Sequence, residues 1–437
     1  MDPEGEKSFR PCWQCTGGME HLAKFVVAFV LLGAVLLAVL NDARIKGGSV
    51  LHYKMTMDRG GSVDRVDFPE EWRREVERSL EYFRTHWNES MRSDAFVSTW
   101  EKFKRGYFVR IVNGSMYVEI RRSSYSPWEK EFHEMCRILD LLCSGEMKKD
   151  VDFIFNFADE PVVDTRSSPF PVFSWTKTVL YTDLLIPYTS FNHLPEKKPG
   201  KCDFEETIKR DWEPKVPHGI WRGATTGVDP FTKDNWREQA RPKLVLICNN
   251  RSDICDARIS EYVQAAPDVI QEMKEELGVE ARMSPEEQDG YKYALVMDGN
   301  SAPSSRMKSH LERSSLIVKQ SSPFIEFFYA SIHPYIHYVP IARSLEDLAS
   351  VILWARAHDD DALHMVANSR KFACENFNKE TVRAYMKYVF SEYIKLFDRF
   401  RAPIETRNLV RVSFSEDISN TCPDIPASEC PFFAHTP

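Results

Sequence analysis

The chain has 437 residues, 43% of them hydrophobic and 28% charged, which is enough to bury a core and unlike a disordered, collagen-like or coiled-coil chain. Lys plus Arg is 57 and Asp plus Glu is 65, a net charge of −8, so no global basic footprint points to nucleic acid as a main partner.

Residues 1–24 precede Phe25–Leu40, FVVAFVLLGAVLLAVL, a run without a polar side chain. As a helix this run spans about 24 Å at ~1.5 Å per residue. Leu22 and Ala23 extend it and Lys24 can snorkel. It reads as an uncleaved transmembrane signal anchor, with 1–24 as a cytosolic tail and the body in a lumen. Cys12 and Cys15 form a lone pair before it; with no second pair to complete a zinc site, S-acylation near a membrane suits them at least as well. Three N-x-S sequons, at Asn88, Asn113 and Asn250, and eight of the ten cysteines lie after the run. Both suit glycosylation and a few disulfides in an oxidising lumen.

Residues 41–68 hold Gly47-Gly48 and Gly60-Gly61 and read as a stem. Trp72, Val76, Leu80, Phe83 and Trp87 then recur at helical spacing. YFVRIV and SMYVEI flank Asn113-Gly114, a hairpin signal that places the sequon Asn on an exposed tip. A helix is expected near 127–144 and a strand at VDFIFNF, 151–157. From 216 the pattern alternates. GIWRG, KYALVMD, SLIVKQ and IHYVPI read as strands, and SRMKSHLER and IEFFYASI as helices. Three helices follow, from SLEDLASVILWARAHD through ALHMVANSRKFACENF to ETVRAYMKYVFSEYIKLF. Such alternation predicts an α/β fold with a parallel sheet covered on both faces. Residues 401–437 carry five prolines and read as an irregular tail tied by Cys422 and Cys430.

Ligands of open α/β sheets bind beyond the carboxyl ends of strands, and three loops there carry suggestive residues. Asp159, after the 151–157 strand, suits proton acceptance from a hydroxyl; the blander reading is a solvated acidic turn. Arg222 and Gly223, in WRGATTG, suit an anion, or else an ordinary surface loop. In Asp298–Arg306, Ser301, Ser304 or Ser305 is expected to cap a helix whose N-terminus favours a diphosphate, with Arg306 adding charge. Plain capping is the alternative. Metal signals are weak. Asp150 and Asp152 precede their strand, Asp359–Asp361 start a helix, and His333 and His337 flank Pro334.

WRGATTG with Asn235-Trp236-Arg237-Glu238, YKYALVMDGNSAPSSR, SSLIVKQ, FIEFFYASIHPYIHYVPI, DFIFNFADEP and PVFSWTKT together resemble the Rumi-type and fungal capsule-associated glycosyltransferases, glycosyltransferase family 90. The resemblance implies a GT-B architecture of two Rossmann-like domains facing across a cleft, here 69–215 on the acceptor side and 216–400 on the donor side. It implies a UDP-glucose or UDP-xylose donor, a protein or glycan hydroxyl acceptor and an inverting reaction with no obligatory metal or other cofactor. By position, Asp159 resembles the family's base and Arg222 its diphosphate-binding arginine. Ser301, Ala302, Ser304, Ser305 and Arg306 resemble its UDP loop, and Glu326 is placed near the ribose or sugar. Three departures stand out: Ala158 precedes Asp159 where the family has Arg, Pro303 makes the donor loop stiffer than the family pattern, and the C-terminus AHTP lacks a retrieval signal. The expectation is a single-pass type II protein of the Golgi or endoplasmic reticulum membrane with a luminal catalytic body. The alternative is a catalytically inactive luminal sugar-binding or chaperone-like protein on the same fold.

Overall fold

In the computed structural model, Trp72, Val76, Leu80 and Phe83 fall on one face of helix α1 (Glu70–His86), and all four are buried, as their spacing predicts. The structure describes residues 68–86, 92–102, 106–113, 115–121, 149–161, 163, 170–191, 194–197, 202, 204–397, 399–405 and 409–411, all within the compact unit Arg65–Pro437. Phe25–Leu40, Trp87, Asn88, Ser304's side chain and the helix expected near 127–144 lie outside what is described. Among the described residues no helix is long and apolar enough to cross a membrane.

The expected hairpin forms from β1 (Gly106–Val112) and β2 (Ser115–Arg121), antiparallel, with Asn113 exposed at φ 47° in the turn between them. An Asn tolerates this left-handed conformation better than most residues. β3 (Val151–Asn156) pairs antiparallel with β1, while β4 (Val172–Ser174) and β5 (Leu184–Leu185) continue parallel to β3. β11 (Val410–Arg411) closes the other edge, giving the order β11-β2-β1-β3-β4-β5. All six residues of β3 are buried, Asp152 included. Its carboxylate takes 3.0 and 2.8 Å hydrogen bonds from Arg110, which also donates to the carbonyls of Ala402 and Ile404.

The second sheet is all parallel, built from β6 (Val216–Ala224), β7 (Cys255–Glu261), β8 (Tyr291–Val296), β9 (Leu316–Gln320) and β10 (Val339–Ile341) in the order β10-β9-β8-β6-β7. Its helices are α2 (Arg92–Lys102) apart: α3 (Glu205–Trp212), α4 (Ala240–Asn250), α5 (Pro267–Leu277), the short α6 (Pro285–Gln288), α7 (Ser304–Leu311), α8 (Leu348–Ala357) and α9 (Asp359–Asn376). The fold is thus mixed α/β with two sheets, one wholly parallel and one mixed, with three antiparallel and two parallel pairings. Strand β7 and helices α4 and α5 were not legible in the sequence pattern. Pro242 stands in the first turn of α4, where its missing N–H is harmless.

One expected element is corrected. IEFFYASI is not an α-helix; it holds only a single 3-10 turn, Tyr329–Ser331. Tertiary contacts override its helical look. Ile325 exchanges two main-chain hydrogen bonds with Lys177, at 2.8 and 3.1 Å, which a helix would forbid. Phe327 and Phe328 then reach an aromatic cluster with Trp72, Phe191, Phe377 and Tyr385.

The last helix, α10 (Lys379–Phe397), leaves the second sheet and packs on the first. Phe390 stacks on Phe173 of β4 at 4.7 Å, and Tyr393 donates to the main-chain carbonyl of Asp152. Disulfides join Cys202 to Cys374 and Cys248 to Cys255.

Candidate active site

In the second sheet, β6 connects to β7 on one side and β8 to β9 on the other. The chain therefore reverses its direction of travel between β6 and β8. Loops leaving the carboxyl ends of those two strands splay apart and open a crevice, the usual ligand site of a doubly wound sheet. A cavity of about 230 Å³ occupies it. Thr226 lines it after β6, and Gly299–Pro303, Ser305 and Arg306 line it after β8. The facing wall comes from the first sheet, with Asp159 after β3, Trp175 and Thr176 after β4, and Tyr188 after β5.

Asp159 is held by its own loop. The buried Asn156 side chain accepts from the N–H of Ala158 at 2.9 Å and donates to the carbonyl of Glu160 at 2.7 Å, folding the turn around Asp159. Asn156 also donates to Ser174, which donates to the buried Asp183. The Asp159 carboxylate receives a 2.9 Å hydrogen bond from Asn300 of the opposite loop. Glu160 is exposed and does not line the cavity.

Two guanidiniums face Asp159. Arg241 on α4 donates to the carbonyls of Asp298 (2.8 Å) and Ala224 (3.0 Å), and Arg306 on α7 donates to the carbonyl of Arg222 (2.7 Å). Both lie over the indole of Trp221, at 5.7 and 5.6 Å from its centroid. Burial pushes Arg241 down to about 9, with neighbouring Arg306 adding to it, and burial pushes Arg306 down to about 10. Both bind main-chain carbonyls rather than carboxylates, so desolvated positive charge converges on the cavity. Gly299 makes room for this: a Cβ there would lie 2.7 Å from Arg241 Nη2 and from Thr226 Oγ1.

The sequence-predicted residues divide. Asp159, Ser301, Ala302, Ser305 and Arg306 meet in the cavity. Arg222 points elsewhere, its guanidinium 2.6 Å from the Asp256 carboxylate and bonded to the Asp256 and Trp221 carbonyls. Gly223 serves the Trp221 ring, which would lie 2.6 Å from a Cβ placed there. Glu326 is buried beside Lys319 and Tyr329 and is not a lining residue. The expected serine cap of α7 is corrected: Pro303 is the N-cap and no side chain caps the helix. Proline favours helix starts but brings no acceptor. Pro303 and Ser305 both line the cavity, so this uncapped end borders it. Asn250 is exposed at the end of α4.

Arg241 and Tyr188 were missed, and Asn300, Thr226 and Trp175 stand in stretches singled out without being given a role. Arg241 did carry a signal, since a cation in the first turn of a helix opposes the macrodipole and asks for an anion.

The model of glycosyl transferase family 90 matches residues 70–416, which include both walls of this cavity. The chain belongs to glycosyl transferase family 90. Other chains are similar over shorter stretches. Protein O-glucosyltransferase 2 of Danio rerio is 27% identical over 56% of this chain and 48% of its own length. Protein O-glucosyltransferase 3 of Homo sapiens is 28% identical over 56% and 46%. Protein O-glucosyltransferase 1 of Bos taurus is 25% identical over 66% and 74%. The chain thus spans about half the length of the first two relatives. For this family 90 chain, the cavity offers one carboxylate on one wall and two guanidiniums on the other. That set can accept a proton on one side of a reacting carbon and stabilise a leaving anion on the other.

Proposed function

We propose that this chain transfers a sugar from a UDP-sugar to a hydroxyl of a protein or glycan, with inversion at the anomeric carbon. A single observation carries the reading: Asp159 lines the same cavity as Arg241 and Arg306, from opposite sheets. In this reading the two sheets are the two halves of a GT-B enzyme. The diphosphate lies against Arg241, Arg306 and the uncapped start of α7, where charge-assisted hydrogen bonds develop fully as UDP leaves. Asp159 accepts the proton of the acceptor hydroxyl as that oxygen bonds to the anomeric carbon and the bond to UDP breaks. The guanidiniums supply the positive charge the leaving group needs, so no metal is required.

Glucose or xylose is the proposed sugar. The names of the relatives favour glucose and a protein acceptor. Phe25–Leu40 is proposed as a signal anchor in the Golgi or endoplasmic reticulum membrane, with the body luminal. Disulfides Cys202–Cys374 and Cys248–Cys255 suit that compartment.

The test is UDP release by the detergent-solubilised full chain, measured with a panel of UDP-sugars and with Asp159→Asn. Turnover of UDP-glucose or UDP-xylose is expected, unaffected by EDTA. Asp159→Asn should lose ~10²–10⁴ in rate while still binding UDP, and Glu160→Gln should keep most activity. A chain that binds UDP but turns over no UDP-sugar would support the non-catalytic alternative, and loss of all activity in EDTA would sink the metal-free site.

A further inference from the structure

Three amides stand in line behind Asp159. The main-chain N–H of Gly227 donates to Gln264 Oε1 at 3.2 Å. Gln264 Nε2 donates to Asn300 Oδ1 at 2.9 Å, and Asn300 Nδ2 donates to Asp159 Oδ2 at 2.9 Å. The direction of this chain is fixed at both ends. A main-chain N–H can only donate, so Gln264 must turn its oxygen to Gly227 and its NH₂ to Asn300. Asn300 must then turn its oxygen to Gln264 and its NH₂ to Asp159. An ionised carboxylate can only accept, so the line ends on the one group that matches it.

Gln264 is held in place for this. It has φ 62°, a left-handed conformation uncommon for glutamine. The backbone on either side is fastened: the buried Thr225 hydroxyl donates to the Val263 carbonyl at 2.9 Å and accepts from the Val263 N–H at 2.8 Å, and Phe231 N–H donates to the Gln264 carbonyl. A strained, fastened backbone that presents an exposed amide suggests that the amide is used.

We propose that Gln264 and Asn300 are positioning residues that aim the Asp159 carboxylate. This deepens the proposed function and rests on Asp159 being the base. Asn300 occupies Oδ2, which leaves Oδ1 to take the proton from the acceptor hydroxyl. The proton moves from the hydroxyl oxygen to Oδ1, the acceptor oxygen bonds to the anomeric carbon, and the pair of the broken bond leaves with UDP. Asn300 belongs to the loop after β8 and Asp159 to the loop after β3. The base is therefore aimed across the cleft by the loop that meets the donor.

The polarity makes an unusual mutant ranking. Gln264→Glu still accepts from Gly227 but cannot donate to Asn300. Asn300 is then drawn to reverse, presenting its carbonyl to the Asp159 carboxylate. Gln264→Leu loses both hydrogen bonds but leaves Asn300 free to choose, and its amide keeps donating for part of the time. The expected result with the full chain is a loss in kcat of about tenfold or more for Gln264→Glu and for Asn300→Leu, since a hydrogen bond to a charged group is removed. For Gln264→Leu a loss of only about two- to threefold is expected. The KM for UDP-sugar should stay within about twofold for both Gln264 variants, and the Gln264→Glu loss should persist at raised salt, where a bare charge effect is screened. A role in fold alone predicts the reverse order, leucine worse than glutamate. That order, or equal kcat for Gln264→Glu and wild type, overturns the relay. Asp159→Asn in the same assay separates the two readings. If it is dead and the ranking is reversed, only the relay fails; if it turns over normally, the base assignment and the relay fail together.

Discussion

Arg306 reaches across to the main-chain carbonyl of Arg222, 2.7 Å away, while the guanidinium of Arg222 turns aside to Asp256. The two arginines singled out by the sequence thus play unequal parts. One presents charge to the cavity and the other braces it through backbone.

Arg306→Ala and Arg241→Ala should each weaken UDP binding by about ten- to a hundredfold, since each removes a charge-assisted contact worth ~1.5–3 kcal/mol. Arg222→Ala should act differently. Its backbone carbonyl remains, so the main effect should be lost stability, because the buried guanidinium's bonds to Asp256 and to the Trp221 carbonyl go, leaving Asp256 the 3.6 Å pair with Arg258. Calorimetric titration with UDP beside thermal unfolding separates the two, and an Arg222 variant as impaired in UDP binding as Arg306→Ala would restore Arg222 as a donor contact.

Gly299→Ala places a methyl group 2.7 Å from Arg241 Nη2 and Thr226 Oγ1, closer than real Cβ contacts come. Arg241 must move out of the cavity wall to relieve it. UDP binding should fall toward that of Arg241→Ala, with little further loss in the double variant, because both changes displace one guanidinium. Full additivity in the same titration would show that the glycine serves another purpose.

His310 on α7 is buried and its imidazole is pushed down to about 3 by burial, with Arg306 and Arg313 adding to it. The folded chain keeps it neutral, whereas the unfolded chain protonates it below about 6.5. Stability from this group is therefore present above pH 6.5 and declines as the pH falls toward 3. Between pH 7 and 5 the loss is about 2 kcal/mol, at 1.36 kcal/mol per unit over roughly 1.5 units. His310→Gln should lose about that much less over the same range, measured by urea unfolding at both pH values.

Arg110→Ala leaves the carboxylate of Asp152 buried without its cation, since Asp152 is 0% exposed. It should cost ~3–5 kcal/mol in urea unfolding. Arg110→Met with Asp152→Leu should recover only part of this: the apolar pair carries no charge to desolvate, but it leaves the Ala402 N–H and the Ala402 and Ile404 carbonyls without their partners.

Membrane topology is checked by protease treatment of intact microsomes. The body should be protected until detergent is added, and the full chain should resist carbonate extraction. Digestion without detergent would place the body on the other side.

Much of the fold was legible because periodicity reports burial directly. Trp72, Val76, Leu80 and Phe83 declare the inner face of α1 at a spacing of three or four residues. Asn113-Gly114 declares a hairpin, because only a few residues tolerate its backbone angles. The alternating strands and helices after residue 216 declare a parallel sheet, and the loops at their carboxyl ends line the cavity. Asp159 and Arg306 thus stand among the candidates at strand ends, and the structure brings both into one cavity. What the sequence could not rank was which arginine faces the cavity, because side-chain direction depends on neighbours distant in the chain. Arg222 lies in β6 and points to Asp256, which β6 meets only through its pairing with β7. Arg241 enters the cavity only because α4 packs behind that strand. Likewise IEFFYASI has the local makings of a helix, and only the main-chain bonds between Ile325 and Lys177, 148 residues apart in number (325 − 177), open it out. Local propensities are small energies per residue, and a few buried aromatic contacts with two long-range hydrogen bonds outweigh them.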